Sequence, residues 1–105
     1  MVHHIENDQI IGEVLKNEKL VVIDFFATWC GPCQMLAPIL ANLDKKYNDE
    51  VEFYKVNVDE NQDAAIRYNV SSVPTLIFFK NGEEIERQVG YMEEDEFSKL
   101  IEEIK

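Results

Sequence analysis

The run at residues 20–27, with the sequence LVVIDFFA, constrains the fold of this 105-residue chain more than any other feature. Apolar side chains follow one another there without the polar alternation of a half-exposed strand, and only Asp24 interrupts them. Such a run is typical of a strand that is buried on both faces of a sheet and covered by helices on each side. It therefore predicts an α/β protein, and the length of the chain suits a single domain over residues 1–105.

Strand-like and helix-like apolar patterns alternate along the rest of the chain. Strands are predicted at residues 2–4, 20–27, 51–58, 75–80 and 83–89. Helices are predicted at residues 8–17, with Ile10, Ile11, Val14 and Leu15 on one face, and at residues 62–68. Two further helices, one after the strand at 20–27 and one at the end of the chain, have apolar faces formed by Met35, Leu36, Ile39, Leu40, Leu43 and Tyr47 and by Phe97, Leu100, Ile101 and Ile104. Asn81-Gly82, between the last two strands, is typical of a tight hairpin turn. The order βαβαβαββα predicts an α/β sandwich whose final hairpin forms an antiparallel edge.

The chain is strongly acidic, with 21 Asp and Glu side chains against 10 Lys and Arg, for a formal net charge of −11. A surface of that sign repels phosphate backbones, so we expect no binding to nucleic acid. No apolar run is long enough to cross a membrane, and the N-terminus has neither the basic region nor the apolar segment of a secretory signal. From these features we expect a cytoplasmic protein without a membrane partner.

The only two cysteines, Cys30 and Cys33, stand where the buried strand ends and a long helix begins. The loop between them is too short to restrain much of the unfolded chain, so the pair does not serve as a structural staple. At the start of a helix, unpaired N–H groups and the positive end of the dipole favour a thiolate, which would lower the pKa of Cys30. Pro32 suits the first helical turn. Cys33 lies on the same side of the helix, close enough to form a disulfide with Cys30.

Two other interpretations of the cysteines are half of a zinc site and a pair of inert buried thiols. A zinc site needs two more ligands, and His3 and His4 are adjacent and lack the usual ligand spacing, so we expect no metal. Inert thiols remain open, although the junction of a strand and a helix at the surface argues against them.

Asp24 and Lys55 are charged residues inside predicted strands. Burial of Asp24 in the apolar run would raise the pKa of its carboxyl group, whereas an aspartate facing solvent at a strand end would keep its usual value. Lys55, in the next strand, either partners Asp24 or reaches water. Pro74 follows Val73 and, from its position alone, is a proline at the start of a strand.

The segment at residues 22–33, with the sequence VIDFFATWCGPC, resembles the active-site segment of the thioredoxin family. The similarity covers almost the whole chain and continues at Pro38, Lys55, Val73-Pro74-Thr75, Gly82 and Gly90. It implies the thioredoxin fold, which is a central mixed five-stranded sheet flanked by four helices. It also implies a thiol–disulfide oxidoreductase, and more narrowly a protein-disulfide reductase that cycles Cys30 and Cys33 between dithiol and disulfide.

The resemblance further implies a role for each residue of the site. Cys30 would be the nucleophile and Cys33 the resolving cysteine. Asp24, partnered by Lys55, would accept and donate the proton of Cys33. The residues that would contact the substrate are Trp29, Gly31, Pro32, Val73, Pro74 and Gly90, with Pro74 in the cis form. The resemblance implies no cofactor beyond the disulfide, and the expected partners of a monomer are protein disulfides and a thioredoxin reductase.

Three positions depart from the family pattern: Phe26 replaces a usual tryptophan, Gln34 a basic residue and Tyr91 a small one. They bear on the choice of partner rather than on the reaction. Two alternative functions stay open at this point. One is the same chemistry run in the oxidising direction by an oxidase or isomerase, and the other is a binding module in which the cysteines are incidental. A glutathione-dependent enzyme fits the motif less well.

Overall fold

The computed structural model describes residues 1–105 apart from the side chains of Asp8 and Ile10, so the predicted place of Ile10 on a helix face lies outside the described residues. Five strands and four helices follow one another in the predicted order: β1 His3–Ile5, α1 Asp8–Val14, β2 Leu20–Phe26, α2 Gly31–Lys46, β3 Val51–Asn57, α3 Gln62–Arg67, β4 Thr75–Lys80, β5 Glu83–Val89 and α4 Glu94–Ile104.

The five strands form one mixed sheet in the order β1-β3-β2-β4-β5. β1 and β2 run parallel to β3, β4 runs antiparallel to β2, and β5 returns antiparallel to β4 as the predicted hairpin. Asn81 and Gly82 both have positive φ, 53° and 82°, as the tight turn between β4 and β5 requires. The arrangement confirms the predicted five-stranded sheet with four helices. None of the described helices is both long and apolar enough to cross a membrane.

The central strand β2 has no exposed residue, and its side chains alternate between two apolar layers. Leu20 and Val22 pack with residues of α2 and α4, whereas Ile23 and Phe25 pack with residues of α1 and α3. The same alternation places Asp24 on the side of α2. On β3, the buried Phe53 also belongs to the layer of α2 and α4, so Lys55 emerges on that side as well.

Several element ends differ from the predicted ones. β1 lies one residue later than predicted, because Ile5 is the residue of this strand that enters the core. α1 ends at Val14 and not at residue 17, because the N–H groups of Lys16 and Asn17 bond to carbonyls three residues back, in a tighter turn than an α-helix. β2, β3 and α3 each end one residue earlier than predicted.

Met35 is not part of the buried stripe of α2, contrary to the prediction, because 59% of its surface is exposed. The buried stripe includes Leu36, Ile39, Leu40 and Leu43. Successive residues of a helix are rotated by about 100°, so Met35 lies to one side of the face that Leu36 presents to the sheet. The helix continues through Pro38.

Candidate active site

β2 and α2 are joined by a short loop that ends at Cys30, the N-cap residue of α2. The backbone of Cys30 is extended, with φ −91° and ψ 113°, and the helix begins at Gly31. The N–H of Cys33 donates to Cys30 Sγ at 3.2 Å, while Pro32 fills the first turn, where an N–H would have no helical partner. The positive end of the helix dipole therefore faces Cys30 Sγ, and it favours negative charge on this sulfur when the pair is reduced.

Cys30 and Cys33 are joined by a disulfide, with their Cα atoms 5.3 Å apart. The two cysteines form a small apolar cluster with Ala27, at whose margin Val58 and Val73 pack. Only 5% of the surface of Cys30 and 3% of that of Cys33 is exposed. A protein that exchanges its own disulfide with this pair must therefore fit closely around it.

A loop preceding β4 packs against the disulfide. The peptide bond between Val73 and Pro74 is cis, as the family resemblance implies. The Val73 carbonyl oxygen lies 3.8 Å from Cys30 Sγ, although the two residues are 43 positions apart in sequence. Gly90, in the left-handed region with φ 96°, donates its N–H to the Pro74 carbonyl at 2.8 Å. Gly90 therefore holds the loop that carries Val73 to the active-site sulfur.

Trp29 stands beside the disulfide with 70% of its surface exposed. Its indole N–H donates to a carboxylate oxygen of Asp59 at 2.9 Å, which orients the ring. Asp59 is not among the site residues predicted from the sequence. A signal for it exists, because β2 and β3 are parallel neighbours, so the loops that follow Phe26 and Asn57 lie at the same edge of the sheet. On the other side of this loop, the Gln34 side chain donates to the Thr28 carbonyl at 3.0 Å.

Asp24 is fully buried, and neither of its carboxyl oxygens has a hydrogen-bond partner among the residues that the structure describes. The Cα atom of Asp24 is paired with that of Lys55 on the neighbouring strand. Burial raises the pKa of the Asp24 carboxyl to about 7, and the positive charge of Lys55 offsets part of that rise. The group therefore changes its protonation near neutral pH, where an acid–base catalyst works best.

Lys55 both lowers the pKa of Asp24 and lines a cavity that is open to solvent. A lysine that partners Asp24 and a lysine that reaches water are therefore compatible interpretations. The ammonium nitrogen of Lys55 lies 4.5 Å from the centre of the Phe26 ring. Phe26, Cys33, Gln34 and Lys55 line a cavity of about 300 Å³ that is open to solvent. Protons from water can therefore reach the side of the active site on which Cys33 and Lys55 lie. Among the described side chains, no group of three or more histidine, cysteine, aspartate and glutamate residues is arranged to hold a metal ion.

The geometry suits exchange of one disulfide for another. A sulfur at a helix N-terminus can become a thiolate and form a mixed disulfide with another molecule. A second sulfur three residues away can then break that mixed disulfide, and a buried carboxyl group can take up a proton. The fold and the site together define a thiol–disulfide oxidoreductase.

Comparison with known proteins identifies the family. The sequence profile described as "Thioredoxin" matches residues 1–103, and the chain belongs to the thioredoxin family. It is 46% identical over 104 residues to Thioredoxin-T of Drosophila melanogaster, covering 97% of this chain and 66% of that protein. It is 56% identical over 73 residues to Thioredoxin-2 of Saccharomyces cerevisiae, covering 70% of this chain and 69% of that one. The chain thus spans about two thirds of the length of these two relatives.

A solved structure, that of Fasciola hepatica thioredoxin, superposes with a TM-score of 0.91 at 37% identity, covering 99% of this chain and all of that one. This similarity confirms the fold that the resemblance implies. Together with the disulfide between Cys30 and Cys33, membership of the family supports an enzyme that carries out thiol–disulfide exchange.

Proposed function

We propose that this protein reduces disulfides in other proteins, with Cys30 as the nucleophile, Cys33 as the resolving cysteine and Asp24 as the group that exchanges a proton with Cys33. The observation that carries the proposal is the position of Cys30 Sγ, which caps α2 and accepts the Cys33 N–H at 3.2 Å. An N–H group and a helix dipole directed at one sulfur favour its thiolate, and the thiolate is the form that attacks a disulfide.

In the first step, the Cys30 thiolate attacks one sulfur of the substrate disulfide. A bond forms between the two sulfurs as the substrate S–S bond breaks, and the departing substrate thiolate takes a proton from solvent. The product is a mixed disulfide between Cys30 and the substrate. No net oxidation of the pair of proteins has occurred at this stage, because one disulfide has replaced another.

In the second step, Cys33 loses its proton and attacks Cys30 Sγ. The mixed disulfide breaks, the second substrate sulfur leaves as a thiolate that takes a proton from solvent, and Cys30 and Cys33 become the disulfide. The substrate has gained two electrons and two protons. Asp24 is suited to accept the proton of Cys33, because burial raises its pKa to about 7 and leaves it without a competing hydrogen bond. Lys55 assists by favouring the ionised carboxylate that accepts this proton.

The surface around Cys30 suits an extended segment of substrate. The Val73 backbone lies outside β4 with its carbonyl next to Cys30 Sγ, so it can pair with substrate main chain in the manner of an added strand. Trp29 provides an apolar wall at the same edge. The residues that complete the contact surface are Gly31, Pro32, Pro74 and Gly90.

Each turnover leaves Cys30 and Cys33 oxidised, so a reductant must restore them, and we assign this role to a thioredoxin reductase. The active disulfide is then the only redox group that the chain itself requires. The Gly31-Pro32 pair between the cysteines resembles the reducing members of the family. It supports reduction over oxidation, and with it a reducing compartment such as the cytoplasm. We assign the activity to a monomer, because both cysteines and the loop beside them belong to one chain.

The test is reduction of a protein disulfide driven by a small dithiol, with wild type compared with Cys30→Ser. Cys30→Ala serves as a second variant, and an exposed change such as Lys16→Met serves as the matched control. We expect strong acceleration by wild type and by the control, and none by the Cys30 variants. Equal rates from all four proteins would make the cysteines incidental and favour a binding module. A redox potential well above that of the cytosol would support oxidation instead.

A further inference from the structure

Three titratable side chains form a row across the sheet, one on each of three neighbouring parallel strands. The Cα atom of Lys55 on β3 is paired with that of Asp24 on β2 and, on its other side, with that of His4 on β1. Residues paired in this way point to the same side of a sheet, which here is the side of α2. Asp24 is fully buried, whereas His4 is exposed on the edge strand. Lys55 therefore lies between a buried carboxyl group and an imidazole at the edge of the sheet.

The ring of Phe26 lies against the middle of this row. Its centre is 4.5 Å from the Lys55 ammonium nitrogen and 5.9 Å from the centre of the His4 ring, and the two ring planes meet at 80°. An aromatic face attracts a cation, and a nearly perpendicular contact between two aromatic rings is favourable. His4 therefore helps to hold in place the ring that holds the Lys55 ammonium.

Three cavities meet at the cluster of His4, Phe26 and Lys55. Phe26 and Lys55 line the cavity beside Cys33, and His4 and Lys55 line a second one of about 380 Å³ along α2. His4 and Phe26 line a third of about 600 Å³ at the ends of β1, β2 and β3. A lysine has a long, flexible stem, so open space around it would let its ammonium turn away from Asp24. His4 borders two of these cavities and closes the route toward the edge of the sheet.

The charges around the cluster make the position of this one ammonium important. The other charged side chains that line these cavities are Asp44 and Lys45 beside α2, and Glu6 and Glu60 at the strand ends. The N-terminal ammonium of Met1 pairs with Asp44. Among the described charged groups, only that of Lys55 offsets the effect of burial on the pKa of Asp24. The contacts that hold the Lys55 ammonium therefore affect the protonation of Asp24.

We infer that His4 is a positioning residue of the active site, which holds the Phe26 ring and closes the edge of the sheet so that Lys55 keeps its charge beside Asp24. This role rests on the proposed function, because a charge beside Asp24 matters to the reaction only if Asp24 takes the proton of Cys33. His4 has no contact with the reacting sulfurs in this role, and it transfers no proton.

Carbon-13 NMR titration of the Asp24 carboxyl in the oxidised protein tests the role of His4. His4→Ala removes the ring, whereas His4→Phe keeps an aromatic ring and removes the imidazole. His3→Ala is the matched control, because His3 is the neighbouring exposed histidine of the same strand. The His3 ring lies 5.7 Å from that of Tyr54, on the opposite side of the sheet.

We expect His4→Ala to raise the proton affinity of the Asp24 carboxyl about threefold, because the ammonium then spends less time beside it. Lys55→Met, which removes the charge altogether, should raise the proton affinity more. His4→Phe and His3→Ala should titrate as wild type does.

The pH profile of protein-disulfide reduction, driven by a small dithiol, provides a second readout. The ionised carboxylate of Asp24 accepts the proton, so a threefold higher proton affinity should leave His4→Ala with about half the wild-type rate at pH about 7 and the full rate at pH about 9. A variant that had only lost structural integrity would be slower at both pH values. His3→Ala should follow the wild-type profile.

A wild-type titration of Asp24 in His4→Ala would overturn the inference. An equal shift in His3→Ala would also overturn it, and so would a shift in His4→Phe as large as that in His4→Ala, because the charge of the imidazole and not its ring would then act. A wild type that reduces a protein disulfide, beside a His4→Ala variant with unchanged titration and pH profile, sinks only this inference. A wild type that fails to reduce the protein disulfide sinks the proposed function itself.

Discussion

Lys55 holds its ammonium nitrogen 4.5 Å from the centre of the Phe26 ring. The face of an aromatic ring attracts a cation, so Phe26 keeps this charge on the side of the sheet where Asp24 is buried. Phe26 and Asp24 are two positions apart on β2 and therefore point to the same side. The phenylalanine that departs from the family pattern thus positions the one cation that lowers the pKa of Asp24.

Removal of that cation should raise the pKa of Asp24 further. In Lys55→Met we expect the carboxyl group to titrate above its wild-type value of about 7, because burial then acts without an opposing charge. Phe26→Leu should shift the pKa in the same direction by less, since the ammonium remains but loses the ring. Carbon-13 NMR titration of the Asp24 carboxyl in the oxidised protein measures both. An unchanged pKa in Lys55→Met would contradict the role given to Lys55, and Lys16→Met is the exposed control.

Asp24 should make the protein less stable as the pH rises. The carboxyl takes up a proton at pH about 7 when folded, but only near 3.8 when unfolded, so between these values the folded state binds more protons. The free energy of unfolding then falls as pH rises through this window. Asp24→Asn should lack this fall, and relative to wild type it should gain about 4 kcal/mol between pH about 4 and pH about 9.

Urea unfolding at a series of pH values tests this linkage. Asp49→Asn, at an exposed aspartate, is the matched control and should follow the wild-type pH dependence. Parallel curves for wild type and Asp24→Asn across the whole range would show that the carboxyl titrates alike in the folded and unfolded chains. That result would contradict the rise in the pKa of Asp24 that its burial predicts.

Cys33→Ser should trap the intermediate of the proposed reaction. Without the resolving sulfur, the mixed disulfide between Cys30 and a protein substrate has no intramolecular route to break, so it should accumulate. Non-reducing electrophoresis and intact-mass spectrometry measure the covalent complex, and added dithiol should reduce its disulfide and release the substrate. The variant with both Cys30→Ser and Cys33→Ser is the control and should form no complex. A complex that forms equally in that double variant would exclude Cys30 as the nucleophile.

Arg87 should contribute to stability by joining β5 to the end of α3. Its guanidinium donates to the Tyr68 carbonyl at 2.7 Å, to the Asn69 carbonyl at 3.2 Å and to the Glu84 carboxylate at 2.7 Å. Arg87→Gln should lower the free energy of unfolding by about 2 kcal/mol, because it leaves helix-end carbonyls without their charged donor. Glu84→Gln removes only a partly exposed ion pair and should cost less than about 1 kcal/mol. Equal losses from the two variants would mean that the carbonyl contacts contribute little.

Local sequence patterns account for most of the elements. The bounds of β4 and β5 agree with the prediction. Asn81-Gly82 admits the positive φ values of a tight hairpin and so fixes where β4 ends and β5 begins. The end of α1 does not follow from the pattern, because apolar residues continue past Val14 while the backbone hydrogen bonds change to carbonyls three residues back. A side-chain pattern does not reveal such a change in backbone bonding.

The chemistry of the cysteine pair is also a local property. Cys30 and Cys33 are brought together by one turn of helix, and a helix start that follows a buried strand is visible in the residues themselves. The sequence alone therefore determined that the two cysteines lie together at the start of a helix, where the dipole favours a thiolate at Cys30. The apolar neighbours of Asp24 allowed either burial or exposure at a strand end, and the structure decided that Asp24 is buried.

Only the tertiary structure decided what surrounds that sulfur. The contact between Cys30 and Val73 joins residues 43 positions apart, and that between Trp29 and Asp59 joins residues 30 positions apart. Such contacts depend on the order in which strands pair. That order is set by packing of the whole core and not by the periodicity of any one segment, which reports only the faces of its own element.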